Sequence, residues 1–215
     1  MKKILVIISC ISIFSSSCSK EEDPTTETTT TATSTGPNLI FKLYFDSTLA
    51  RLDNFGNPAT IPAGNSAQSP RFNKMSAHYI EFAPDSLTVL GSGEIVYKGA
   101  ETTSGGSNAV DFDQAVTKEQ GDVFYSIPLS QINTGTYKWL RVSLTYQNYD
   151  IDYKAAGNIY SGTLASFVGF NTYITNYDIN TQNVVVNSNK LQGYWGFETS
   201  VLGSFYVSEG QSPGT

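Results

Sequence analysis

Few side chains in this chain can do covalent or metal chemistry. Its 215 residues include one histidine, two cysteines and two methionines. Any histidine-dependent hydrolysis must use His78, which alternates with Ile80 and Phe82 and so shares their core-facing side. Zinc needs three or four His and Cys ligands, more than the body of the chain holds. Copper favours imidazole and sulfur, and Met75 with His78 is the one such pair. On a strand, those two residues face opposite sides. Calcium takes oxygen ligands only. Asp111 with Asp113, and Asp150 with Asp152, each place two carboxylates on one strand face or together in a loop. The alternative is that these charges are solvated and protect a sheet edge. Glycoside hydrolysis needs two carboxyl groups ~5–9 Å apart, and Glu81, Glu94, Glu101 and Glu198 are available.

Aromatic and amide side chains are more plentiful. Tyr146, Asn148 and Tyr149 form one cluster, and Tyr194 and Trp195 a second. Rings stack on the C–H faces of sugars, and amides bond their hydroxyls. Both clusters therefore suit glycan or peptide binding. Strands and cores also favour Tyr and Trp, so a packing role competes.

The elements that carry these residues read as β. Leu39, Phe41, Leu43 and Phe45 alternate with Ile40, Lys42 and Tyr44, the period of a half-buried strand. Similar stretches recur at 77–82, 94–98, 123–127, 137–146, 148–153, 163–170, 172–179, 183–186, 194–199 and 204–207. Gly, Pro and Asn clusters separate them. One short helix is expected at 114–120. About ten short strands with frequent turns imply an all-β antiparallel sandwich. The domain spans 38–215, with a further C-terminal strand as the open alternative.

The start of the chain gives an address. Lys2 and Lys3 precede the apolar run Ile4–Ile8, Ile11, Ile13 and Phe14. That run is shorter than the ~20 residues needed to cross a bilayer, and it suits a secretory signal over 1–17. Ser15, Ser16 and Ser17 then precede Cys18. Residues 24–37, nearly all Thr between two prolines, lack apolar periodicity and read as a tether. The net charge of −6 and the lack of a basic cluster argue against nucleic-acid binding.

Four resemblances follow from these residues. Ser15–Cys18 resembles a bacterial lipobox, which implies cleavage before Cys18 and acylation of its thiol and amino group. Multiple acyl chains anchor a protein stably in a membrane. Lys20, Glu21, Glu22 and Asp23 then resemble the export signal of Bacteroidetes-type outer-membrane lipoproteins, which implies display on the cell surface, the periplasmic face being the alternative. Asn133, Gly135 and Tyr137, followed by Trp139, resemble the tyrosine corner of immunoglobulin-like sandwiches, with Trp139 in a core position. Residues 75–82, 110–113, 127–129 and 135–137 are similar in order to segments of the copper-binding MbnP-like β-sandwich family. The expected function is a non-enzymatic surface module for a glycan, peptide or protein. A calcium or copper carrier, or a carboxylate glycosidase, are the alternatives.

Overall fold

The computed structural model describes residues 36–53 and 55–212. The expected signal segment, Cys18 and the tether up to residue 35 lie outside these residues. Thirteen strands occur among them. In chain order they begin with β1 (Asn38–Lys42), β2 (Arg71–Ala83), β3 (Glu94–Lys98), β4 (Glu101–Thr102) and β5 (Ala109–Asp111). Next come β6 (Lys118–Glu119), β7 (Val123–Pro128), β8 (Trp139–Ala155) and β9 (Asn158–Phe167). The last four are β10 (Thr172–Asp178), β11 (Asn183–Lys190), β12 (Tyr194–Val201) and β13 (Ser204–Gln211).

These strands build an all-β sandwich. The largest sheet has the order β13-β12-β9-β8-β2-β3, with β6 also paired to β2. A four-stranded sheet, β11-β10-β5-β4, and a two-stranded sheet, β1-β7, complete it. Pairing is antiparallel except between β10 and β5. Apolar alternation seats the sheets. Tyr146, Phe167 and Tyr194 of the large sheet close on Ile174, Tyr177 and Val186 of the four-stranded sheet. Ala77, Ile80 and Val96 close on Phe124 and Ile127, with Leu39 and Phe41 of β1 alongside.

Three expectations need correction. The helix at 114–120 is absent: a single 3-10 turn occupies Phe112–Gln114, and Lys118–Glu119 pairs with β2. The stretches 137–146 and 148–153 form one strand, β8. Its register slips against β2 at Ala77, which preserves pairing where the alternation changes phase. The Tyr137 hydroxyl does donate to the Asn133 carbonyl at 2.9 Å, the bond of a tyrosine corner. Trp139, however, is 52% exposed. Pairing of β8 with β9 begins only at Tyr146, so the first turns of β8 lack a neighbour there.

Candidate functional site

His78 is the extra residue of a bulge. Ala77 pairs with Leu144 and Tyr79 with Ser143, leaving His78 opposite no residue of β8. The bulge turns it away from Ile80 and Phe82, so strict alternation misplaced it. Its ring stacks on Phe170 at 5.3 Å, and Nε2 meets Glu101 Oε1 at 2.8 Å. Gly99 lets β3 turn into β4 against this bulge: its N–H donates to the His78 carbonyl at 2.6 Å, and a Cβ would lie 3.3 Å from that oxygen. Glu101 also takes Asn108 Nδ2 at 3.0 Å and Lys98 Nζ at 3.0 Å. The Asn108 bond outweighs partial burial and, with His78 and Lys98, holds the Glu101 carboxyl at about 2.

His78, Lys98 and Glu101 line a cavity of about 570 Å³ with Tyr79, Ile95 and Phe170. His78 Nδ1 is buried without a partner, and Nε2 is taken by the carboxylate. Among the described residues no hydroxyl therefore reaches either ring nitrogen, and none pairs with His78 as nucleophile with base. Gly210-Gln-Ser-Pro-Gly214 has the spacing of a nucleophile elbow, but Ser212 follows β13 and its N–H donates to Gly193. An elbow needs a strand-to-helix turn, and no α-helix occurs among the described residues.

The Glu101 pKa fixes a pH dependence. A carboxyl held below its ordinary 4.5 adds stability that is complete above that value and lost as pH falls toward 2. Between pH 5 and 2 the parent should lose about 1–2 kcal/mol more than Glu101→Gln, allowing for solvent screening. Urea unfolding at the two pH values measures the difference. Equal losses would remove Glu101 from the account.

The aspartate pairs are engaged by donors. Asp111 ends β5 and takes Gln114 Nε2 at 2.6 Å, whereas Asp113 lies in the 3-10 turn and takes Thr175 Oγ1 at 3.1 Å. That turn separates the two from a common strand face. Asp150 and Asp152 do share a face. Asp150 takes Thr163 Oγ1 at 2.7 Å and Asn73 Nδ2 at 2.9 Å. Asp152 forms a two-point contact with Arg71, at 3.0 and 3.1 Å, and takes Ser161 Oγ at 2.6 Å. Met75 is buried in β2 opposite Gln147 and Lys118. Among the described residues, no three His, Cys, Asp or Glu side chains are grouped to hold a metal ion.

The two aromatic clusters are divided by the pleat. Tyr146, Asn148 and Tyr194 face the core, at 1%, 1% and 4% exposure, and are packing residues, not surface contacts. Asn148 Nδ2 donates to the Ile179 carbonyl at 2.6 Å, and burial pushes the Tyr146 phenol up to about 12. Tyr149 and Trp195 belong to the opposite face. Side chains alternate along each strand and align across partners. The unbroken registers of β8, β9, β12 and β13 therefore set that face in rows. Gln147, Ser166, Trp195 and Gly210 form one row. Tyr149, Leu164, Phe197 and Ser208 form the next. Ile151, Gly162, Thr199 and Tyr206 follow, and then Tyr153 and Tyr160.

Two glycines arrange the rings on this face. A Cβ on Gly162 would lie 2.3 Å from Phe197 Cζ, and one on Gly210 would lie 3.0 Å from Trp195 Cζ2. Each ring therefore lies over a cross-strand glycine, in the space that a Cβ there would take. Tyr153 stands at 75° to Phe197, stacks with Tyr160 at 5.7 Å, and bonds Thr199 Oγ1 at 3.0 Å. Tyr153, Leu164, Trp195, Phe197 and Ser208 bound a shallow groove of about 550 Å³. Phe45 packs against Phe72 and Tyr149 at the border, so Tyr149 is partly covered. The sequence clusters pointed to Tyr149 and Trp195 but missed Tyr153, Tyr160 and Phe197, whose shared face follows from strand register. No protein family, curated protein or solved structure matches the chain.

Proposed function

We propose that this chain is a non-enzymatic lipoprotein, anchored through Cys18 in the outer membrane and displayed at the cell surface, that binds a glycan on its aromatic sheet face. The observation that carries this reading is the seating of Phe197 and Trp195 over Gly162 and Gly210. A ring held along a sheet exposes a flat apolar surface on which the C–H face of a sugar can stack. Tyr153, at 75° to Phe197, bounds that surface, and Thr199 and Ser208 place hydroxyls beside it. The lipid address motivates the cell-surface location. The single histidine, whose ring nitrogens meet no hydroxyl among the described residues, supports binding without turnover.

The test is retention of the full-length protein, in detergent micelles, by immobilised polysaccharides. The Trp195→Ala/Phe197→Ala double variant should lose at least 100-fold in affinity while its circular dichroism stays that of the parent. Such a loss, about 2.7 kcal/mol, is ordinary for two buried aromatic anchors. Undiminished binding by the folded variant would remove this face from the function. Intact mass of the membrane-extracted protein tests the anchor, the expectation being residues 18–215 plus acyl groups.

A further inference from the structure

The four rows of the aromatic face share a second property. None of their fourteen positions carries an ionised side chain. The same chain bears 13 basic and 19 acidic residues. The charges on the paired stretches of these same four strands fall on the other face: Asp150 pairs in register with Thr163, Asp152 with Ser161, and Glu198 with Thr163. Solvent-facing strands ordinarily carry Lys or Glu, which discourage edge and face association. Here Gln, Ser and Thr supply the polarity instead.

From this we infer that the ligand of the face is an uncharged, extended oligosaccharide; the inference rests on the glycan reading above. The fourteen row positions offer no Lys or Arg to meet a uronate or sulfate. A net charge of −6 adds a field that disfavours anions. It offers no Asp or Glu to meet an amino sugar either. A charged sugar would give up its hydration at such a surface without a counter-charge in return, which is unfavourable. A neutral chain loses only weakly held water from its C–H faces and keeps its hydroxyls for Gln147, Ser166, Thr199 and Ser208.

The extent of the platform sets the length. Aromatic rings stand on β8, β9, β12 and β13: Tyr153, Tyr160, Trp195 with Phe197, and Tyr206. Three strand spacings make the platform ~15 Å wide. That width accommodates several sugar rings in a chain and leaves most of it unused by one. The exposed position of Tyr206, 57% accessible, extends the platform to the sheet's edge strand.

The experiment is an array of neutral, uronate-bearing, sulfated and amino-sugar oligosaccharides, from mono- to octasaccharide, probed with the full-length protein in micelles. Neutral chains should bind, with affinity rising with length to a plateau and no monosaccharide retained. Any neutral ligand should be preferred at least tenfold over its uronate-containing counterpart, and its affinity should change less than twofold between low and molar salt. Ser208→Lys should then add measurable affinity for uronate chains. Equal or stronger binding of anionic or cationic chains by the parent, or steep salt dependence, would overturn the inference while leaving the glycan reading in place. Absence of binding to every class would overturn both.

Discussion

Glu198→Ala should lower stability by about 2–4 kcal/mol, the cost of stranding several donors in a closed turn. Glu198 is 3% exposed and sits on the inner face of β12. The turn between β10 and β11 points three successive backbone N–H groups at its carboxylate: Asn180 at 2.8 Å, Thr181 at 3.0 Å and Gln182 at 3.0 Å. Thr181 Oγ1 adds a fourth donor at 2.6 Å. A run of N–H groups of this kind forms an anion-binding concavity, here filled by the protein's own side chain. Burial alone raises the Glu198 pKa, but these bonds together outweigh it and leave the carboxyl below its ordinary 4.5. The stabilisation is therefore complete above pH 4.5 and declines as pH falls below it. Urea unfolding at neutral pH should show a lower midpoint with an unchanged slope. Glu198→Gln keeps one acceptor oxygen and should fall between the parent and the alanine variant. A midpoint for Glu198→Ala equal to the parent's would show that water replaces the carboxylate without loss.

This assignment also separates Glu198 from the carboxylates considered for glycoside hydrolysis. A catalytic carboxyl needs room for substrate on its oxygens, and both Glu198 oxygens already accept bonds from the turn. Glu81 is likewise committed. It is fully buried, takes the Gly93 N–H at 2.6 Å and contacts Arg141 at 3.4 Å. Glu94 holds Asn133 at 2.8 Å, next to the tyrosine corner. In each case the carboxylate ties a loop to a strand.

The sandwich was legible because period-two alternation is a local property. Glu94–Lys98 coincides with the strand read from the sequence, and β1, β7, β10 and β12 begin or end within two residues of their expected bounds. The two-residue strands β4 and β6 were not legible, because two residues carry no period. The slip of β8 at Ala77 was not legible either: it depends on which strand lies alongside, and it is what carries His78 out of the Ile80 and Phe82 face. Sequence proximity likewise joined Tyr146 to Tyr149 and Tyr194 to Trp195, whereas the pleat sends the members of each cluster to opposite sides. The site emerged from cross-strand neighbours. Phe197 meets Gly162 from 35 residues away, a relation that no spacing within either strand encodes.

That cross-strand relation allows binding to be separated from folding. Gly162→Ala should weaken glycan binding at least tenfold with a modest loss of stability, about 1–2 kcal/mol from local overpacking. Gly162 does not have a positive φ, so alanine meets no φ strain there, although the added carbon also comes within 3.0 Å of the Glu198 carbonyl oxygen. The new methyl would instead occupy the place of Phe197 Cζ and Cε2, at 2.3 and 2.4 Å, and the ring must lift from the sheet. Lifting it removes the flat surface while keeping every aromatic residue in the chain. Gly210→Ala should act more weakly, since Trp195 is 3.0 Å from the added carbon and needs a smaller shift. Phe197→Leu completes the comparison, keeping apolar volume but no ring face, and should bind no better than Gly162→Ala. Calorimetric titration of the three variants with the best neutral oligosaccharide orders them. If Gly162→Ala binds as the parent does, ring orientation is not what the ligand recognises. If Phe197→Leu also binds as the parent does, the groove acts through apolar area alone, and its ligand need not be a sugar.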